Sequence, residues 1–199
     1  MDKTNIIRRF EDQTLAAGQM RGDHDLNPDT KPADDLVPAA VLVPLVNRTD
    51  GVTTMLTQRA SHLAHHPRQI SFPGGHMDPG DGTPEETALR ETEEEVGLNR
   101  RHVEIVGRLA EYRTRTGFAV TPVVAMVEPP FDISPDLHEV EEVFEGPLAF
   151  LMDPANHARH SRKIQGTMRH FHAIPYDGYF IWGATAGMLI NLYEVLRDA

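Results

Sequence analysis

The stretch Arg90-Glu91-Thr92-Glu93-Glu94-Glu95-Val96-Gly97-Leu98, with Phe72-Pro73-Gly74-Gly75 upstream of it, decides how this chain is read. Thr83 is a good N-cap, and Glu86 three residues on completes a capping box. Pro84 falls at the first helical position, where its missing N–H is not needed. Glu85 and Glu86 bring negative charge to the positive end of the helix dipole. Gly97 supplies the stop. These signals predict a helix from about Pro84 to Val96.

At about 100° per residue, Ala88, Leu89, Thr92 and Val96 share one arc, which should face the core. Glu91, Glu94 and Glu95 share another. Glu91 and Glu95 lie one turn apart, and like charges at that spacing destabilise a bare helix by a few tenths of a kcal/mol. A divalent cation would reverse that sign. Carboxylates so placed can hold magnesium, and magnesium can hold a diphosphate. A solvated acidic face is the plain alternative. The fixed helix register, Arg90 beside the carboxylates within reach of Glu94, and an upstream Gly-Gly loop where backbone can approach a ligand all weigh against it.

The segment resembles a Nudix box, the signature of hydrolases acting on nucleoside diphosphates linked to another moiety. The family pattern is Gly, five residues, Glu, seven residues, then Arg-Glu-apolar-x-Glu-Glu-x-Gly-apolar. Arg90 to Leu98 match its second half, with Thr92 at an apolar position. In the first half Gly75 stands one residue too far from Arg90, and Gly82 occupies the glutamate position. An insertion around Asp81-Gly82 restores the alignment, with Asp81 in place of that glutamate.

Met55-Leu56-Thr57-Gln58-Arg59-Ala60, a spacer and Phe72-Pro73-Gly74-Gly75 are similar to the signature of the coenzyme A diphosphatase branch. Ala64 stands where that pattern has Arg, and Arg68 where it has Gly. Thr116 to Val123 and Ile181 to Ala186 look like the same branch, so the resemblance spans roughly residues 37 to 196.

The resemblance implies an α/β Nudix fold, an α/β/α sandwich with a mixed β-sheet. It implies two or three Mg2+ or Mn2+ ions held by Glu91, Glu95 and Glu94, with the Gly74 carbonyl as a further ligand. Glu94, Arg90 and a general base make up the expected catalytic set. In the family the base lies on the metal helix or on a later loop; the stretch Asp136 to Glu142 is the natural loop here, with Glu139 matching the family position best and a solvated acidic loop as the plain alternative. Substrate contacts are expected from Gly75, Phe118 and cations for a 3′-phosphate: Arg59, Arg68, Arg113 and Arg115. Arginine suits phosphate because its planar fork donates two hydrogen bonds together. The implied reaction splits coenzyme A or an acyl derivative into adenosine 3′,5′-bisphosphate and phosphopantetheine. ADP-ribose or another nucleotide sugar is the alternative substrate, and a nucleotide sensor that does not cut is the alternative class.

Composition sets limits. The chain has 199 residues, 40% of them hydrophobic, enough for one well-buried domain. A net charge of −11 argues against a nucleic-acid partner, so local cations must meet a polyanionic substrate. The absence of cysteine excludes a disulfide framework, a thiolate zinc site and a cysteine nucleophile. No apolar run approaches a membrane span, and a cytoplasmic location is expected. A homodimer stays open. His62, His65 and His66 lack the supporting carboxylate spacing of a zinc site.

Residues 1–35 are expected as an arm or a short helix plus loop ahead of a catalytic domain over 36–199. Ile6, Ile7 and Phe10 make a helical stripe, and Asp23 to Asp35 read as loop. Strands are expected at Val37–Val46, Thr53–Gln58, Val103–Leu109, Val120–Val127, Lys163–Met168 and Phe171–Ile174. A short helix follows Pro147, and a core-packing helix carries Ala186, Leu189, Ile190 and Tyr193.

Overall fold

The structure is a computed structural model that describes residues 2–12, 21–29, 35–164 and 166–197. Its frame is a run of β-branched and apolar residues, Val37–Arg48, which has no polar side to present to water and therefore forms the central strand. In chain order the strands are β1 (Arg21–Gly22), β2 (Val37–Arg48), β3 (Gly51–Arg59), β4 (Ile70–Ser71), β5 (Gly74–His76), β6 (Val103–Arg108), β7 (Tyr112–Arg113), β8 (Phe118–Val127), β9 (Val140–Pro147), β10 (Ala158–Ile164), β11 (Thr167–Tyr176) and β12 (Tyr179–Trp182). The helices are α1 (Lys3–Asp12), α2 (Pro84–Val96), α3 (Leu148–Leu151) and α4 (Ala184–Arg197).

Nine strands form one mixed sheet with the path β1-β7-β8-β2-β3-β4, and β5, β6 and β9 pair with β2, β8 and β3. β2 runs parallel to β8 and antiparallel to β3 and β5. The period of two along β2 separates its side chains between two cores. Ala40 and Leu42 pack with Ala88 of α2, and Val46 with Val96. Val43 and Leu45 join Leu189 and Leu192 of α4 and Ile6 of α1 on the other face. The sheet is therefore covered on both sides, an α/β/α sandwich. β10, β11 and β12 form a second, antiparallel sheet of three strands.

Most expected elements are present, and two differ. The segment Lys163–Met168 is not one strand: β10 ends at Ile164 and β11 begins at Thr167, so a hairpin bend falls inside it. The acidic stretch Asp136 to Glu142 is loop only as far as Glu139. Val140 is buried against β3 and starts β9, which an alternation of acids and apolar residues disguised. The N-terminal region carries α1, whose Ile6 is fully buried in the larger core. Burial of one such side chain contributes about 1.5–3 kcal/mol, so the helix is tied to the sheet. Residues 21–29 add the parallel strand β1 beside β7, while 30–34 of the expected loop lie outside the described residues.

Candidate active site

The helix α2 is capped as its sequence dictates. The Thr83 hydroxyl accepts from the Glu86 N–H at 3.3 Å, and the Thr83 N–H donates to Glu86 Oε2 at 3.2 Å. Gly97 closes the helix in the left-handed region, φ 73°, its N–H donating to the Glu93 carbonyl. The axis thus fixed lays α2 against β2 and the Gly-Gly strand β5.

Gly74 and Gly75 earn their place sterically. Gly74 has φ 152°, and a Cβ there would lie 2.3 Å from the Ala40 carbonyl oxygen. A Cβ on Gly75 would lie 2.5–2.7 Å from the carboxylate atoms of Glu91. The Gly74 N–H donates to Glu95 Oε2 at 3.1 Å.

Glu95 belongs to the buried side of α2, not to the exposed acidic arc the helical wheel suggested; only 6% of it is accessible. Burial pushes its carboxyl up to about 7, helped by the nearby charges of Glu139 and Glu91 and opposed by the Gly74 N–H and Arg59. Burial also raises Glu91, against the pull of Arg90, with Glu94 and Glu139 adding to the rise. Glu91 is therefore within electrostatic reach of Glu94 and Glu139, and Glu95 within reach of Glu91, Glu139 and Arg59.

Arg90 ties this group together. Its guanidinium donates to Glu91 at 2.8 Å, Glu94 at 3.0 Å and the His76 carbonyl at 3.1 Å. It also forks onto Asp81, Nε to Oδ1 at 3.2 Å and Nη2 to Oδ2 at 2.8 Å. Asp81 accepts further from the Asp78 N–H and the Thr87 hydroxyl. Arg90 and these donors hold its carboxyl well below the usual carboxylate range. The acid that replaces the pattern's glutamate is thus an anchor for Arg90.

Among the described residues no three His, Asp or Glu side chains close to metal-holding distance. Glu91 and Glu94 turn instead to Arg90, which supplies the positive charge they require. The donor set still fits a hard divalent cation: carboxylate oxygens on successive turns, and a buried Glu95 with no cation in hydrogen-bond contact.

The substrate-side residues fall into two groups. Arg59 and Arg68 stand together, because the Arg68 N–H donates to the Arg59 carbonyl at 3.1 Å. Arg68 adopts φ 60° and reaches Glu141 only at 3.9 Å. Phe118 meets the His76 ring at 5.2 Å, beside the end of β5. Arg115 sits on the β7–β8 turn, its N–H donating to Asp23. Arg113 pairs with Glu111, so it is engaged on the surface.

A cavity away from the carboxylates is signalled in the sequence only by His170 and His172, which alternate along a strand and so share a face. Residues 21–26 roof a cavity of about 220 Å3 over Tyr112, His170, His172 and the face of α4 with Gly187 and Asn191. Tyr112 donates to Asp23 at 3.0 Å, and Arg21 pairs with Glu194. Burial, and then Asp23, push the Tyr112 hydroxyl far up; burial, with Arg159 next, lowers His172. The Asn191 side-chain amide nitrogen is buried without a hydrogen-bond partner among the described residues. Only the fold gathers these scattered residues.

Buried carboxylates backed by backbone and ringed by arginines suit a hydrolase of phosphate anhydrides. The profile of the NUDIX domain family matches residues 36–164. The chain is 41% identical over 157 residues to the Nudix hydrolase NudL of Enterobacter sp. (strain 638), recorded as uncharacterized, with 77% of this chain and 80% of that one covered. It is 38% identical over 154 residues to NudL of Escherichia coli (strain K12), also recorded as uncharacterized, with the same coverage of 77% and 80%. Among solved structures, the Nudix hydrolase RenU of M. smegmatis superposes with a TM-score of 0.57 at 19% identity, over 85% of this chain and 91% of that one. The chain belongs to the Nudix family, hydrolases of nucleoside diphosphate derivatives that act with divalent cations. No described helix is long and apolar enough to cross a membrane.

Proposed function

We propose that the protein splits coenzyme A or an acyl derivative into adenosine 3′,5′-bisphosphate and (acyl-)4′-phosphopantetheine. One observation carries the reading. The two separated halves of the branch signature are zipped together beside the carboxylates: Thr57 pairs with Ser71 and Gln58 with Ile70, and the Arg59 N–H donates to the Gln69 carbonyl. Arg59 is thereby held where its charge reaches Glu95, and Phe72-Pro73 lead directly into Gly74.

Glu91, Glu95 and Glu94, with the Gly74 carbonyl, would hold Mg2+ or Mn2+. A bound divalent ion supplies the charge neutralisation a diphosphate needs before a nucleophile can approach. Arg90 positions Glu91 and Glu94. Glu139, exposed on the loop just before β9 and within the field of the buried Glu95 and the half-buried Glu91, accepts a proton from the attacking water. The new bond forms from that water to one phosphorus, and the bridging P–O bond breaks with its electron pair leaving on the departing phosphate. Arg59, Arg68 and Arg115 meet the 3′-phosphate, and Gly75 and Phe118 contact the substrate.

The test is a Mg2+-containing incubation with coenzyme A, ADP-ribose, dinucleoside polyphosphates and NADH. Fastest turnover of coenzyme A, with release of adenosine 3′,5′-bisphosphate, is expected. Preferential turnover of ADP-ribose, or binding without turnover, would overturn the assignment.

A further inference from the structure

The outer face of the second sheet carries an arrangement that the catalytic site does not use. Arg162 of β10 and Arg169 of β11 are register partners, directly opposite each other. Like charges placed directly opposite on a sheet destabilise it. Neither guanidinium has an ion-pair or hydrogen-bond partner among the described residues, in a chain with 30 acids and a net charge of −11. Two residues along the same face the pairing His160 to Phe171 follows, its rings stacked with centroids 5.9 Å apart. Phe180 stands edge-on to His160 at 5.6 Å, and Trp182 edge-on to Phe171 at 5.3 Å. His160 is exposed, and Phe180 is 44% exposed. An aromatic surface thus borders an uncompensated pair of forked cations.

We propose that this face binds a nucleoside monophosphate, its phosphate between Arg162 and Arg169 and its base on the rings of His160 and Phe180. A phosphomonoester carries about −1.5 to −2 charge at neutral pH, which matches two guanidiniums and converts their repulsion into attraction. Bases stack on aromatic rings whatever their identity. A long nucleic acid fits less well, since the acidic remainder of the chain repels an extended polyanion.

The single tryptophan of the chain lies in this cluster, so its fluorescence reports on the face alone. The whole protein, in EDTA so that no diphosphate chemistry intervenes, is titrated with AMP, adenosine and inorganic phosphate. AMP is expected to quench Trp182 saturably, phosphate to compete, and adenosine to act only at much higher concentration. Arg162→Ala and Arg169→Ala should each weaken AMP by about tenfold, the loss of one charge-assisted contact. Phe180→Ala should weaken AMP and leave phosphate competition intact. The proposal falls if AMP gives no saturable change, or if the arginine variants bind AMP as the parent does. It also falls if a single-stranded oligonucleotide binds and AMP does not. A Trp182 signal that follows protein concentration and ignores nucleotide would mark the face as an interface between copies and overturn it as well. None of these outcomes depends on which diphosphate the carboxylate site cleaves.

Discussion

Gly75 and Glu91 are in such close apposition that a methyl group on the glycine would stand 2.5 Å from the glutamate's carboxyl carbon. Gly75 does not have a positive φ, so alanine is compatible with its backbone. The steric conflict therefore falls on the Glu91 carboxylate. Gly75→Ala should lower kcat by about 100-fold, the effect of displacing a reacting group by about 1 Å. Thermal unfolding should change little. Full activity in this variant would show that Glu91 is not held where the chemistry needs it.

Arg90 is positioned through Asp81. Asp81→Asn keeps the size but removes the charge that the guanidinium forks onto. Arg90 should then turn fully to Glu91 and Glu94 and compete with an added cation. The expected result is a 10–100-fold weaker apparent affinity for Mg2+ in the activity assay, as for other groups that orient metal ligands. An unchanged Mg2+ dependence would rule out Asp81 as the anchor.

The capping box, the Gly97 stop and the β2 hairpin were legible because each is a local agreement among neighbours in sequence. The burial of Glu95 was not. A helical wheel places it with Glu91 and Glu94, and only the proximity of β5, with the Gly74 N–H ready to donate, makes the position tolerable for a carboxylate. β9 was missed for a related reason: its acids face outward while Val140 faces in, and a cluster of acids reads as loop until the partner strand β3 is known. Arg59 and Glu139 were candidates from pattern alone, and their nearness to Glu95 is a product of pairing between strands far apart in sequence. The cavity under residues 21–26 has one local signature, the alternation of His170 and His172 along a strand; its other walls come from elements far apart in sequence.

Glu95 also links stability to pH. Its folded carboxyl, at about 7, lies above the unfolded value of about 4.3. The folded state therefore holds more protons between those values, and its stability falls as pH rises through them. A divalent cation binds the ionised form, so it should restore what ionisation removes. The rise in Tm on adding Mg2+ should be largest above pH 7 and shrink towards pH 5. A Mg2+ shift that is the same at pH 5 and pH 8 would place the cation elsewhere. In Glu95→Gln the pH-dependent part should shrink, leaving the share of Glu91, whose carboxyl burial also raises.

Asn191 presents, in a helix interior, a buried amide nitrogen with no partner among the described residues. An unsatisfied buried donor costs about 1–3 kcal/mol. Leucine has similar size and better helix propensity. Asn191→Leu should raise Tm by a few degrees, given about 2–4 °C per kcal/mol for a chain of this length. A lower Tm in differential scanning calorimetry would show that the amide is satisfied in solution.

Arg68 is one of the two positions, with Ala64, where the chain departs from the branch pattern, and its geometry makes the exchange testable. It holds φ 60°, a conformation that glycine adopts freely and other residues reach at a cost of about 1–2 kcal/mol. Its long contact to Glu141 adds little at an exposed site. Arg68→Gly should therefore fold with Tm unchanged or slightly raised, the relief of strain being offset by the freer unfolded chain. If the guanidinium meets the 3′-phosphate beside Arg59, the variant's KM for coenzyme A should rise about tenfold or more, the loss of a charge-assisted contact. Its KM for dephospho-coenzyme A, which lacks that phosphate, should not move. Equal changes for both substrates would mean that Arg68 shapes the loop and does not read the phosphate.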